Sequence, residues 1–138
     1  NQIKNIKPIN KAIYSENKKF PLYHNQNKTM FSLNGAVNDN SSPPETVEAI
    51  TLEKLFEDEK IEHADFMKLD IEGSETEVLS SEGFTKVAGK IDLMVIERHA
   101  WNVRNPHQLN EALENSGFEV ATIPNQADLV LARRKNAL

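Results

Sequence analysis

Two segments in the second half of the chain have the hydrophobic pattern of buried strands. Residues 66–69 form a short apolar-rich run that ends abruptly in acidic residues. Residues 91–96 are mostly apolar and β-branched, which is typical of a parallel strand buried on both faces. Because ligands bind at the carboxyl ends of strands in open α/β sheets, the polar residues after these two segments are expected to border a cleft.

Helices are predicted where apolar residues recur at helical spacing after a capping residue. One helix begins at Thr51. A second begins at Ser74, which is expected to form a capping box with Glu77 and to lead into a helix that ends at Gly83. Helices that alternate with strands in this way indicate a mostly parallel sheet with helices packed on it.

The end of the chain predicts one more helix and a closing pair of strands. Asn105 is followed by a proline and begins the helix, and Gly117 follows its last turn. Residues 118–123 and 129–133 then form an antiparallel pair.

The opening of the chain is rich in predicted strands. Paired prolines after a polar cluster make residues 38–45 a loop. Residues 25–28 are expected to form a hairpin turn. The strands predicted before the first helix are residues 6–14, 20–24, 29–33 and 47–50. The sequence therefore predicts an α/β fold with a mostly parallel sheet and a C-terminal antiparallel hairpin.

The composition is that of a globular domain. The 138 residues are 38% apolar and 27% charged, and this length suits one domain or part of one. The net charge of -5 argues against a nucleic-acid partner. No apolar run approaches the roughly 20 residues of a membrane span. Without a signal segment at its start, the chain is expected in the cytoplasm.

A short motif at the centre of the chain carries a family resemblance. Residues 68–75, Lys-Leu-Asp-Ile-Glu-Gly-Ser-Glu, resemble the lysine-aliphatic-aspartate-x-glutamate-glycine signature of FkbM-type methyltransferases. Residues 51–56 are similar to the family's threonine-leucine-aspartate-x-leucine segment, with Glu53 where aspartate is usual. Residues 94–99 resemble its strand ending in glutamate and histidine. The resemblance implies a Rossmann-like sheet and transfer of a methyl group from S-adenosylmethionine to a hydroxyl of a sugar, a polyketide or a similar small molecule.

The chain departs from the family pattern in one respect. The first strand, the Gly-rich turn that cradles the cofactor and the acid that binds its ribose are absent, and the five glycines form no such turn. We therefore expect the main cofactor cradle upstream of Asn1, with residues 1–138 as the C-terminal, acceptor-side part of one methyltransferase domain. Residues 1–45 would be its β-rich opening and residues 46–138 its αβ core. Alone, this chain is expected to be inactive.

Methyl transfer to an alcohol requires a group that takes the hydroxyl proton. Asp70 is the first candidate for this general base and His99 is the second. Residues expected to bind the acceptor are Glu72, Glu97, Trp101 and Asn102.

Several alternatives stay open at this stage. Glu72 equally suits a role in stabilising the positive end of the following helix. Lys68 is expected either to lay its stem along the surface or to pair with a neighbour, rather than to take part in the chemistry. A magnesium or manganese site built from the acids and His99 ranks below a metal-free site, because no tight ligand spacing requires it. The alternative function is a non-catalytic binding or regulatory module on the same half-fold, which would need no acids at the strand ends.

Overall fold

The computed structural model describes residues 5–24, 31–32, 43, 45–99 and 107–135, and all structural statements below concern these residues. They form two four-stranded sheets and four helices. The predicted turn at residues 25–28 lies outside the described residues, as does most of the predicted loop at 38–45.

The first sheet comes from the β-rich opening and has the strand order β1-β4-β2-β3. Its strands are β1 (Ala12–Ile13), β2 (Lys18–His24), β3 (Phe31–Ser32) and β4 (Glu45–Ile50). Strand β1 pairs parallel with β4, while β2 pairs antiparallel with β3 and β4. The strand predicted over residues 6–14 is thus limited to two residues.

The second sheet carries the two buried segments and has the order β5-β6-β8-β7. Its strands are β5 (Ala64–Leu69), β6 (Ile91–Glu97), β7 (Phe118–Ile123) and β8 (Gln126–Arg134). Strands β5 and β6 run parallel, with Leu69 beside Ile96. Strands β7 and β8 form the predicted antiparallel hairpin, and β8 also pairs antiparallel with β6.

The α/β class is confirmed, but the expectation of a mostly parallel sheet is wrong. Among the described strands, two of the six pairings are parallel, β1 with β4 and β5 with β6. The physical reason is that each sheet contains a chain reversal. Strand β4 runs antiparallel to the earlier strand β2, and strand β8 of the closing hairpin runs antiparallel to β6.

The helices are short, and hydroxyl caps start two of them. They are α1 (Leu52–Asp58), α2 (Glu75–Leu79), α3 (Glu82–Ala88) and α4 (Gln108–Asn115). The Thr51 side chain accepts a hydrogen bond from Lys54 N at 3.1 Å, which confirms the predicted start of α1. The Ser81 side chain likewise accepts from Phe84 N and begins α3, a helix that sequence reasoning missed. Asn105, the predicted start of the last helix, lies outside the described residues.

Two predictions about the second helix are wrong. Ser74 makes no capping hydrogen bond through its side chain, because its backbone (φ -100°, ψ 4°) is not in the extended conformation of a capping residue. Glu77 does not complete the box either, since it accepts hydrogen bonds from Tyr14 and Ser15. Gly83 does not end a helix but lies inside α3. It is small because a Cβ there would stand 3.0 Å from the Cβ of Thr51.

The hydrophobic core lies between the helices and one face of the second sheet. The sheet contributes alternate residues to it, and the helices cover them. The buried members from the strands are Leu69, Ile91, Met94, Ile96, Phe118, Val130 and Ala132, and those from the helices include Val78, Leu79, Phe84, Leu109 and Leu113.

The opposite face of the sheet is less covered. Leu93 and Val95 are only half-buried, so the expectation that residues 91–96 are buried on both faces is wrong for the described residues. Phe66 on β5 is 56% exposed. Within the described part of the chain, none of the helices is long and apolar enough to cross a membrane.

Candidate functional site

The parallel pairing of β5 and β6 brings two acids together at one edge of the sheet. Asp70 follows the last residue of β5, and Glu97 is the last residue of β6. Lys68 lies between them, with its Nζ 2.7 Å from Asp70 Oδ2 and 3.6 Å from Glu97 Oε2. The expected proximity of the two acids is therefore present, and so is the expected pairing of Lys68.

His99 completes this cluster from the segment after β6. Its side chain is only 13% exposed. Nδ1 lies 2.9 Å from Glu75 Oε1, while Nε2 lies 3.3 Å from Glu72 Oε2 and 3.9 Å from Asp70 Oδ1. The two ring nitrogens thus contact carboxylates on opposite sides of the ring.

The turn between β5 and α2 has an unusual backbone. Glu72 and Gly73 both have positive φ, 51° and 97°, and together they reverse the chain after the strand. Glu75 Oε1 accepts hydrogen bonds from Ile71 N and Gly73 N, each at 3.1 Å. One carboxylate oxygen therefore holds the turn closed.

Glu75 is the residue that sequence reasoning missed. Its position one residue after Ser74 is typical of an acid that only stabilises the start of a helix, yet Glu75 is 3% exposed. The signal was present in the spacing, because Glu75 precedes the buried Val78 and Leu79 by three and four residues and so shares their face of α2. A charged residue on the apolar side of a helix requires buried partners, which here are two backbone amides and His99.

The acids around His99 increase its affinity for a proton. Burial disfavours the imidazolium, but the hydrogen bond to Glu75 and the charges of Glu75, Glu72 and Asp70 outweigh it, so the pKa of His99 is raised. Glu72 Oε2 is buried and makes no hydrogen bond, although it lies at ion-pair distance from Nε2 of His99. It therefore contributes to the charge around His99 without a directed hydrogen bond.

The acids could also bind a metal ion, but the position of the Lys68 ammonium argues against assigning one. Asp70, Glu97 and His99 each offer a ligand atom within 4.8 Å of the others. The ammonium of Lys68, however, already lies against both carboxylates. A cation at this point would have to displace that side chain, and we assign no metal here.

Besides a depression of about 470 Å³ beside Arg98, two open depressions lie on this part of the described residues, and one of these two adjoins the cluster. It has a volume of about 370 Å³ and is lined by Glu97, Gln126, Asp128 and Leu129. The other, about 330 Å³, lies among α2, α3 and α4 and contains none of the cluster residues. We consider the first one relevant to the site, since Glu97 belongs to both. Trp101 and Asn102 lie outside the described residues.

Comparison with known protein families agrees with this picture. A model described as the methyltransferase FkbM domain matches residues 2–120. The match identifies a methyltransferase family as the class to which this chain corresponds. The chain belongs to the FkbM methyltransferase family, which confirms the resemblance seen in residues 68–75. The searches of curated proteins and of solved structures return no match.

Proposed function

We propose that this chain forms the acceptor side of an S-adenosylmethionine-dependent O-methyltransferase that acts on a hydroxyl of a sugar, a polyketide or a similar small molecule. One observation carries the proposal. Asp70, Glu97 and His99 meet at the carboxyl ends of two parallel strands in a chain of the FkbM family. Ligands bind at such strand ends in α/β sheets.

The proposed chemistry at these residues is orientation of the hydroxyl and removal of its proton. Asp70 and His99 share the role of proton acceptor, since Nε2 of the ring lies 3.9 Å from Asp70 Oδ1. Lys68 holds one oxygen of Asp70 in an ion pair. Nε2 of His99 is therefore better placed than Asp70 to accept the hydroxyl proton. Proton transfer by a positioned side chain accelerates reactions by about 10²–10⁴-fold.

The remaining polar groups are proposed to hold the acceptor. Glu72 and Glu97 present carboxylate oxygens that accept hydrogen bonds from neighbouring hydroxyls, as suits a polyhydroxylated molecule. The depression beside Glu97 provides the space for it. Trp101 and Asn102 stay predictions for the same role.

The cofactor requires residues that these 138 do not include. When bound, S-adenosylmethionine supplies an electrophilic methyl group. No Gly-rich turn exists in the sequence to let the backbone approach it, so the chain does not fit the cofactor's main cradle. We propose that other residues, in a longer protein with a Rossmann-like domain, supply that cradle. Among the described strands, β5 lies at the edge of its sheet, which leaves room for a further strand beside it.

The proposal is tested by acid and histidine replacements in the protein expressed with the coding sequence that flanks it. Methyl transfer from S-adenosylmethionine with a labelled methyl group is measured against a panel of sugars and polyols. His99→Gln is expected to lower kcat by about 10²-fold or more. Asp70→Ala and Glu97→Ala are expected to abolish most of the transfer while circular dichroism shows an unchanged fold.

Asp65→Ala is the matched control. Asp65 lies on the same strand as Lys68, but its side chain is 98% exposed and it is not part of the cluster. This variant is expected to keep wild-type activity. Full activity in both Asp70→Ala and Glu97→Ala would exclude the proposed site, whereas the absence of methyl transfer in the wild type would favour the non-catalytic module.

A further inference from the structure

Glu75 joins two separate parts of the site through a single oxygen atom. Its Oε1 accepts hydrogen bonds from Ile71 N and Gly73 N on the turn after β5. The same oxygen lies 2.9 Å from Nδ1 of His99, which comes from the segment after β6. Glu75 is 3% exposed, so these contacts are shielded from water.

These contacts determine which ring nitrogen of His99 carries a proton. A backbone N–H can only donate, so the oxygen that receives two of them is an acceptor. Nδ1 must then donate to that oxygen as well. In the neutral ring the proton is therefore on Nδ1, and the lone pair is on Nε2. Nε2 is the nitrogen on the side of Asp70 and Glu72.

We propose that Glu75 is a positioning residue, which fixes His99 in its Nδ1–H form and directs Nε2 toward Asp70 and Glu72 as the atom that receives the acceptor's hydroxyl proton. The role of Nε2 as proton acceptor rests on the proposed function. The same carboxylate also holds the turn with positive φ at Glu72 and Gly73. Glu75 therefore couples the orientation of the ring to the position of the neighbouring acids.

The charged groups around the ring come from both strand ends. Asp70, Glu72 and Glu75 face it directly. Lys68 contacts Asp70 and Glu97, and Glu97 has an oxygen within 4.8 Å of a ring nitrogen of His99. Of these groups, Glu75 is the one that bonds to Nδ1, so its replacement affects the tautomer, whereas the others act on Nε2.

The test is nuclear magnetic resonance of the full chain with ¹⁵N-labelled histidine, with the His99 signals assigned by their absence in His99→Gln. Long-range ¹H–¹⁵N spectra distinguish the two tautomers. In the wild type at high pH, His99 is expected to be protonated at Nδ1. Glu75→Gln keeps an acceptor oxygen but removes the charge, so it should keep this tautomer and lower the pKa of His99. Glu75→Met removes the acceptor and should abolish the preference for Nδ1–H.

Glu77→Gln is the matched control, because it removes the same charge two residues later. Glu77 contacts Tyr14 and Ser15, so the His99 spectra should be unchanged. A neutral His99 protonated at Nε2 in the wild type would overturn the inference, and so would an intact Nδ1–H form in folded Glu75→Met. If Glu75→Met does not fold, the wild type and Glu75→Gln decide the question.

These spectra need neither S-adenosylmethionine nor an acceptor. A protein without methyl transfer would overturn the proposed function, yet the spectra would still report whether Glu75 positions the ring. Conversely, an active enzyme with the other tautomer would overturn only the role of Glu75.

Discussion

Tyr14 donates a hydrogen bond from its Oη to Glu77 Oε2 over 2.8 Å, although 63 residues separate the two along the chain. Ser15 Oγ donates to the other oxygen of the same carboxylate at 3.1 Å. These bonds connect the segment after β1 to helix α2. The helix that carries Glu75 is thus fixed at its exposed side by residues from the opening of the chain.

Tyr14→Phe is expected to lower the free energy of unfolding by about 1 kcal/mol, the typical net value of such a hydrogen bond. Burial, followed by the hydrogen bond and charge of Glu77, raises the pKa of Tyr14 to about 12 from 10.0. The folded state thus favours the protonated phenol. Its contribution is fully present below pH 10 and is lost as the pH rises from 10 toward 12.

Urea unfolding of wild type and Tyr14→Phe at pH 8 and pH 11 measures this difference. An equal difference between wild type and Tyr14→Phe at both values would contradict the prediction.

His99 is expected to make stability depend on pH in the same direction as Tyr14, although here the folded state favours the charged form of the side chain. Its pKa in the folded state is raised above the ordinary value of 6.5, since Glu75, Glu72 and Asp70 outweigh the effect of burial. The resulting stabilisation is fully present below about pH 6.5 and is lost as the pH rises through the folded-state pKa. The difference in unfolding free energy between wild type and His99→Gln should therefore be larger at pH 6 than at pH 9.

Chemical denaturation at several pH values checks this expectation, with His63→Gln as a control at an exposed histidine outside the cluster. The prediction is wrong if the difference between wild type and His99→Gln is constant with pH, or if it grows toward high pH.

Gly83→Ala is expected to destabilise the protein by about 1–3 kcal/mol, as overpacking of a tight contact does. The new Cβ would stand 3.0 Å from Cβ of Thr51, an atom fixed to the backbone that cannot rotate away. Thr51 is also the cap of α1, so the strain would act on a helix start. Thermal or urea unfolding measures the loss.

Gly89→Ala serves as the control for this substitution. Gly89 has φ of -59°, and nothing lies within 4 Å of a Cβ placed there. This variant should be neutral or gain about 0.4–1 kcal/mol through the unfolded state. Equal stability of Gly83→Ala and Gly89→Ala would contradict the prediction, because it would show that a Cβ fits between α3 and Thr51 without cost.

Phe84→Ala is expected to cost about 3–5 kcal/mol, because it empties a fully buried aromatic site. Phe84 stacks on Phe118 with ring centroids 6.1 Å apart, which ties α3 to the closing hairpin. Phe66→Ala is the paired control at the exposed aromatic on β5 and should change stability by less than about 1 kcal/mol. Similar losses in both variants, measured by urea unfolding, would contradict the assigned core.

The features that could be predicted from the sequence depend on short-range patterns. The meeting of Asp70 and Glu97 was predictable because each follows an apolar strand and parallel strands end at one edge. The cap at Thr51 was predictable from the residues beside it. The capping box at Ser74 was not, since Glu77 binds Tyr14, a partner that no local pattern reveals. Gly83 was wrongly predicted to end a helix for the same reason, because a glycine is needed there for the close approach of Thr51.

The alignment of β5 with β6 has a consequence for how the site tolerates change. Side chains alternate between the faces of a strand, so sliding β6 by a single residue would send Glu97 to the helix side and bring Ile96 out in its place. Single-residue insertions or deletions in the short connection from α3 to β6 are thus expected to abolish the chemistry even though they touch none of the polar side chains.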